Sequence, residues 1–128
     1  MAKGHRSQIK KERNQNKDTR PSAKLSYARM SAQKAGFVLD AIRGKDVQTA
    51  LGILAYNPRY ASSVIEKLLK SAIANADNNN GMNPENLYIE ECFANKATTM
   101  KRIRPRARGM AYRIEKRMCH ITVILNER

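Results

Sequence analysis

Between Lys96 and Arg117 the chain sets nine basic residues against one acid, Glu115. The bases are Lys96, Lys101, Arg102, Arg104, Arg106, Arg108, Arg113, Lys116 and Arg117. No hydrophobic core can be assembled from such a stretch. Eight net positive charges do not gather without a dense polyanion to neutralise them. The flanks speak against a solvated, disordered loop, because Leu87 to Ala94 and His120 to Leu125 both read as strands. The segment reads as an excursion between two neighbouring strands, a long extended basic β-hairpin over about residues 94–120.

Charge is segregated along the rest of the chain. Of the formal +14, residues 1–24 hold +6 and residues 96–117 hold +8, while 25–95 balance seven bases with seven acids. A neutral body with two basic appendages is the pattern of an RNA or DNA binder, since Lys and Arg supply phosphate contacts. A generally basic enzyme has no need of that segregation. Chain length leaves room for one small domain, which we place at 25–128. Residues 1–24 read as a basic flexible arm whose only large apolar side chain besides Met1 is Ile9. Its Lys3, Arg6, Lys10, Lys11 and Arg13 are candidate phosphate contacts. Two cysteines, Cys92 and Cys119, are too few for a disulfide framework. No secretory signal is evident, and no apolar run approaches the ~18 residues of a membrane span. The expectation is a soluble cytoplasmic chain with no membrane partner, no cofactor and no obligate homo-oligomer.

The neutral body predicts an α+β fold. Leu25 to Met30 suits an edge strand. Ser31 is placed to cap a first helix with Ala35, Val38, Leu39 and Ile42 on its inner face, and Gly44 suits its end. Asp46 is placed to cap a second helix that buries Val47, Ala50, Leu51 and Leu54. Asn57 and Pro58 suit the cap and first position of a third. That helix repeats Ala61, Val64, Ile65, Leu68, Leu69, Ala72, Ile73 and Ala76, a core stripe to which we assign no chemistry, and breaks at Asp77 to Gly81. Leu87, Ile89 and Phe93 share one strand face, as do Ile121, Val123 and Leu125. A tip centred near Ala107, between Pro105 and Gly109, pairs Ile89 with Leu125, Phe93 with Ile121 and Cys92 with Thr122. Each arm then extends ~30 Å beyond the sheet. An isolated two-stranded ribbon is marginal in water, so this one takes its final form against something negative.

Catalytic constellations are lacking. Glu90 and Glu91 are strand neighbours and point to opposite faces. His5 sits in the arm, and His120, at the start of a strand, has a structural or RNA-facing role. Cys92, Cys119 and His120 make a poor metal set, with Cys119 and His120 facing apart. Gly44-Lys45 is followed by Asp46, not by the Ser or Thr of a phosphate loop. What the sequence offers instead is Arg102, Arg104, Arg106 and Arg108 alternating with Ile103, Pro105 and Ala107, which sets the guanidinium groups on a common side of an extended arm. Guanidinium forks suit phosphate oxygens. Aromatics are few, so recognition by shape and backbone is favoured over a stacking platform. A generic DNA- or RNA-binding module is the alternative.

Five co-linear motifs, Ser31-Ala32-Gln33-Lys34, Ile42-Arg43-Gly44-Lys45, Ser71 to Ala76, Met100 to Gly109 and His120 to Val123, resemble those of bacterial large-subunit ribosomal protein twenty-two, the exit-tunnel hairpin family. The likeness covers residues 25–126; where many relatives carry Gly-Pro ahead of the Met-Lys-Arg run, this chain has Ala97-Thr98. The resemblance implies three helices packed on a small three-stranded antiparallel sheet, a body on the outside of the large subunit, and a hairpin that enters ribosomal RNA. It implies rRNA contacts from Ser31, Lys34, Arg43 and Lys45 as well as the hairpin bases. It also implies an exit-tunnel tip at about 104–110, formed by Met100, Lys101 and Arg102 with Arg104, Pro105, Arg106, Ala107, Arg108, Gly109, Met110 and Ala111, near the macrolide site. Implied partners are large-subunit rRNA, neighbouring ribosomal proteins and the nascent peptide; no reaction is catalysed.

Overall fold

The computed structural model describes residues 6–128. Helix α1 (Arg6–Gln15) lies in the basic arm, followed by β1 (Ser22–Ala28), α2 (Ala32–Ile42), α3 (Val47–Tyr56) and α4 (Tyr60–Asn80). Then come β2 (Leu87–Lys96), β3 (Met100–Pro105), β4 (Ala111–Lys116) and β5 (Cys119–Glu127). The class is α+β. Three strands form an antiparallel sheet in the order β1-β5-β2, and β3 with β4 forms a separate two-stranded hairpin. Helices α2, α3 and α4 cover one face of the sheet, so the expected three-helix body is present, and α1 is an addition outside it.

Helical periodicity decides what is buried. Ala35, Val38, Leu39 and Ile42 of α2 and Val47, Ala50 and Leu54 of α3 are all in the core, with Leu51 packed at its edge. On α4 the buried set is Ala61, Ser62, Ile65, Leu68, Leu69, Ala72 and Ala76. They meet Ile121, Val123 and Leu125 of β5, each fully buried. The free edge of β2 is covered by the α2–α3 turn. Gly44 N–H donates to the Ile89 carbonyl at 3.0 Å, and Ile89 N–H donates to the Lys45 carbonyl at 3.0 Å. Gly44 adopts φ +73°, which a side chain would strain.

Several local expectations shift. Helix α4 begins at Tyr60 rather than Pro58, with Asn57 closing α3 and its Oδ1 accepting from Arg59 N–H at 3.2 Å. The same helix runs through Asp77 to Asn80 and ends at Gly81, at φ +62°. Polar side chains there have partners off the helix: Asn75 Nδ2 donates to the Ser22 carbonyl and Asn80 Nδ2 to the Thr19 carbonyl, each at 3.0 Å. Ser31 and Asp46 hold the cap positions of α2 and α3 but make no side-chain cap bond. The edge strand starts three residues earlier than read.

The largest correction is in β2. Ile89 does pair with Leu125, but a bulge follows, so that Glu91 pairs with Ile124, Cys92 with Val123 and Phe93 with Thr122. One extra residue reverses the face of everything beyond it. Cys92 therefore enters the core and Phe93 leaves it, at 39% exposure. Glu90 and Glu91, expected on opposite faces, both reach one cation. Arg20 Nη1 lies 2.8 Å from Glu90 Oε2 and 3.1 Å from Glu91 Oε1. The Glu90 contact is an ion pair without hydrogen-bond alignment. Arg20 also grips Asp18, Nη2 to Oδ2, at 2.7 Å.

This clasp fixes where the arm leaves the body. Its hydrogen bonds from the Arg20 side chain and backbone lower the Asp18 carboxyl from 3.8 to about 2. A carboxylate depressed in the folded state stabilises above its ordinary value, and that contribution is lost as pH falls through the folded value. Protection of the Arg20 and Ser22 amides, taken relative to the intrinsic exchange rate at each pH, is expected to fall between about pH 4 and 2 while α4 stays protected. A profile flat across that window would contradict the clasp.

Candidate nucleic-acid interface

Two basic elements leave the body at opposite ends of the sheet. Ser22, where the arm joins, pairs with Ile124 near the end of β5, whereas the hairpin departs from Lys96 and Cys119 at its start. Every α1 side chain from Ser7 onward is exposed, including Lys10, Lys11 and Arg13. Lys3 lies outside the described residues, and Arg6 enters only as the first residue of α1.

The hairpin is a regular ladder, with Met100 opposite Lys116, Lys101 opposite Glu115, Arg102 opposite Ile114, Ile103 opposite Arg113, Arg104 opposite Tyr112 and Pro105 opposite Ala111. It joins the sheet through Ala97 N–H, which donates to the Met118 carbonyl at 3.0 Å. Three residues (97–99) face two (117–118) at this junction. Together with the β2 bulge, this centres the tip on Arg108, one residue beyond the expected Ala107. Arg106 N–H donates to the Met110 carbonyl at 2.8 Å, and Arg108 and Gly109 both take positive φ, 60° and 70°. Arg108 thus departs from the expected common row. Left-handed backbone turns it out of the alternation that Arg102, Arg104 and the extended Arg106 keep.

Cross-strand partners share a face. Arg102 and Arg104 therefore lie beside Ile114 and Tyr112 on one face, and Lys101 and Arg113 lie beside Glu115 and Ile103 on the other. Every position from Lys101 to Arg117 is exposed, among them Ile103 at 70% and Met110 at 57%. Within this run the ion pair is Arg117 Nε to Glu115 Oε2 at 3.8 Å. One acid cannot compensate the remaining bases, so among the described residues the hairpin's charge is left to an outside anion. Arg106 sits over the Tyr112 ring at 5.7 Å. This exposed ring and its apolar neighbours mix stacking surface with charge, which composition alone did not show.

The other expected contacts have varied settings. Lys96 is exposed at the end of β2, and Lys45 is exposed in the α2–α3 turn. Arg43 is half committed to the body, with Nη1 2.9 Å from Asp40 Oδ1 and Nη2 donating to the Cys92 carbonyl at 3.0 Å. His120 Nδ1 accepts from Tyr27 N–H at 3.0 Å, with the rings edge to face at 4.6 Å. That bond secures the β1 bulge, where Tyr27 has φ 55°. His120 therefore has a structural task whatever it meets outside.

Ser31 and Lys34 face a hollow of about 1250 Å³ between the hairpin base and the body. Its rim carries Arg29, Lys34, Arg59, Arg102, Lys116 and Arg117 against Glu115, with the rings of Phe37 and Tyr60 among them. Sequence reasoning passed over Arg29, Arg59, Phe37 and Tyr60. A signal was present for Phe37, a large apolar residue off the α2 stripe. No cluster of metal-ligating side chains occurs among the described residues. Cys92 and Cys119 are free buried thiols whose ionisation burial makes harder. No helix among the described residues is long and apolar enough to cross a membrane.

Comparison with known proteins agrees with this architecture. The family model described as ribosomal protein L22p/L17e matches residues 23–126. The chain is 80% identical, over the full length of both, to "Large ribosomal subunit protein uL22" of Lachnoclostridium phytofermentans. It is 77% identical, again over both full lengths, to the protein of that name in Lachnospira eligens. The Clostridium beijerinckii protein is 52% identical over 80% of this chain and 92% of its own.

Proposed function

The chain belongs to the ribosomal protein L22p/L17e family, and from that membership we propose a non-catalytic RNA clamp whose hairpin reaches the path of the growing peptide. It is a structural constituent of the large ribosomal subunit, in the cytoplasm, and not an enzyme. In our reading the body seats on the particle while its two basic extensions, leaving from opposite ends of the sheet, engage separate stretches of large-subunit rRNA. Lys10, Lys11 and Arg13 serve one stretch. Lys101, Arg102, Arg104, Arg106, Arg113 and Lys116 serve the other, with Lys34 and Lys45 contributing from the body. The ~30 Å reach of the hairpin carries Arg104 to Ala111 away from the body to line the exit tunnel. Neighbouring ribosomal proteins and the nascent peptide are the remaining partners.

One observation carries this reading: an exposed ladder of bases, nearly free of internal acids, held away from a body of zero net charge. Such a ladder, with bases on both faces, is suited to a path through phosphate. The test is a photoreactive residue placed at Ile103 or at Ala107 in translating ribosomes. Ile103 is expected to capture large-subunit RNA and Ala107 the nascent chain. RNA capture at both sites without peptide would remove the tunnel assignment, and capture of neither would overturn the reading.

A further inference from the structure

We propose that the hollow between hairpin base and body holds an unpaired RNA strand with one base withdrawn from its stack onto Phe37 and Tyr60. The inference rests on the RNA-binding reading above and names the part of the RNA that this site takes. Phe37 and Tyr60 are 62% and 68% exposed, on α2 and α4, and neither serves the core. The Arg59 guanidinium lies 5.8 Å from the centroid of the Phe37 ring. Ring and guanidinium both offer flat faces, the surfaces on which splayed bases stack.

Charge selects the occupant. Six bases against Glu115 line the rim: Lys34 of α2 with Arg29 and Arg59 from the segments ahead of α2 and α4 on the body side, and Arg102, Lys116 and Arg117 on the hairpin side, so a strand lying here is contacted from two sides. An acidic peptide would satisfy the charge but leave the rings idle. A stacked duplex would satisfy the charge too, but its bases are not available to the rings. The volume of about 1250 Å³ exceeds the ~300–1,000 Å³ of common small-molecule sites and suits a few linked nucleotides. The hollow also explains why Phe37 stands off the apolar stripe of α2, where a polar residue would otherwise serve.

The full chain is titrated with a single-stranded RNA hexamer containing 2-aminopurine, whose fluorescence is quenched on stacking. The parent is expected to quench it. Phe37→Leu, which keeps apolar bulk but removes the ring, is expected to bind about tenfold more weakly and quench less, while Phe37→Trp retains both. Tyr60→Leu should act like Phe37→Leu. Because both residues are exposed, thermal melting should be unchanged. The site is overturned if Phe37→Leu binds as the parent does, or if a hexamer duplex or a hexaglutamate peptide competes as well as the single strand. Loss of this site leaves salt-dependent binding of long large-subunit RNA through the hairpin intact; failure of the clamp reading abolishes both.

Discussion

Replacing Arg102, Arg104 and Arg106 together with Gln is expected to weaken binding to large-subunit RNA about 100-fold at 150 mM salt and to reduce the log–log salt slope by about 2 to 3. Each phosphate contact contributes ~0.7–0.9 to that slope. At this salt one contact is then worth about a factor of four to five, and three multiply to roughly 100. The intact chain, engaging ~10 phosphates, should show a slope of about −7 to −9. The three residues are exposed, so Gln should alter stability by less than ~0.5 kcal/mol. Lys70→Gln is the control, compared per charge removed. Lys70 pairs with Glu66 at 2.7 Å midway along α4, and its substitution should leave the slope unchanged. A roughly four- to fivefold loss from Lys70→Gln, one third of the triple variant's effect on log affinity, would mean that net charge alone matters. An unaltered slope in the triple variant would mean that these guanidinium groups meet no phosphate.

How far the residues foretold this interface depends on the range over which each signal acts. The helix stripes were readable because burial on α2, α3 and α4 repeats every three to four residues, and a misplaced end moves nothing inside. The hairpin was readable because charge excluded it from any core. Strand register was less so. Ile89 opposite Leu125 was right, but the bulge that follows exchanged the faces of Cys92 and Phe93 and brought Glu90 and Glu91 to the same guanidinium. No local rule marks that bulge. Its partner, Arg20, is 71 residues from Glu91 in sequence and sits in an arm read as flexible. The tip moved by one residue because the β2 bulge and the uneven junction at 97–99 and 117–118 each add one residue to the first arm. The hollow was invisible for a similar reason: Phe37, Arg59, Tyr60 and Lys116 belong to three separate elements that only the tertiary fold gathers.

Leu69→Ala is expected to destabilise the chain by about 2–5 kcal/mol and lower its melting temperature by ~10–25 °C. Leu69 has no exposed surface and belongs to α4, which packs on β1 and β5. Its removal forfeits the transfer free energy of a buried side chain and leaves a cavity between helix and sheet that neither can close alone. Against the ~5–15 kcal/mol that holds a domain together, this is a large share. Ile103→Ala deletes a similar apolar volume, yet it should cost less than ~0.5 kcal/mol. Ile103 is 70% exposed on a ribbon whose two strands pack chiefly on each other, and the buried cluster stops at Cys92 and Cys119. Below its melting temperature the Leu69→Ala chain should keep the parental salt slope, since no phosphate-facing base has moved. The contrast separates two kinds of work in one small chain: apolar burial holds the body, and the body holds the charge outward. A melting loss from Ile103→Ala equal to that from Leu69→Ala would join hairpin and body into one cooperative unit and remove the division on which the clamp depends.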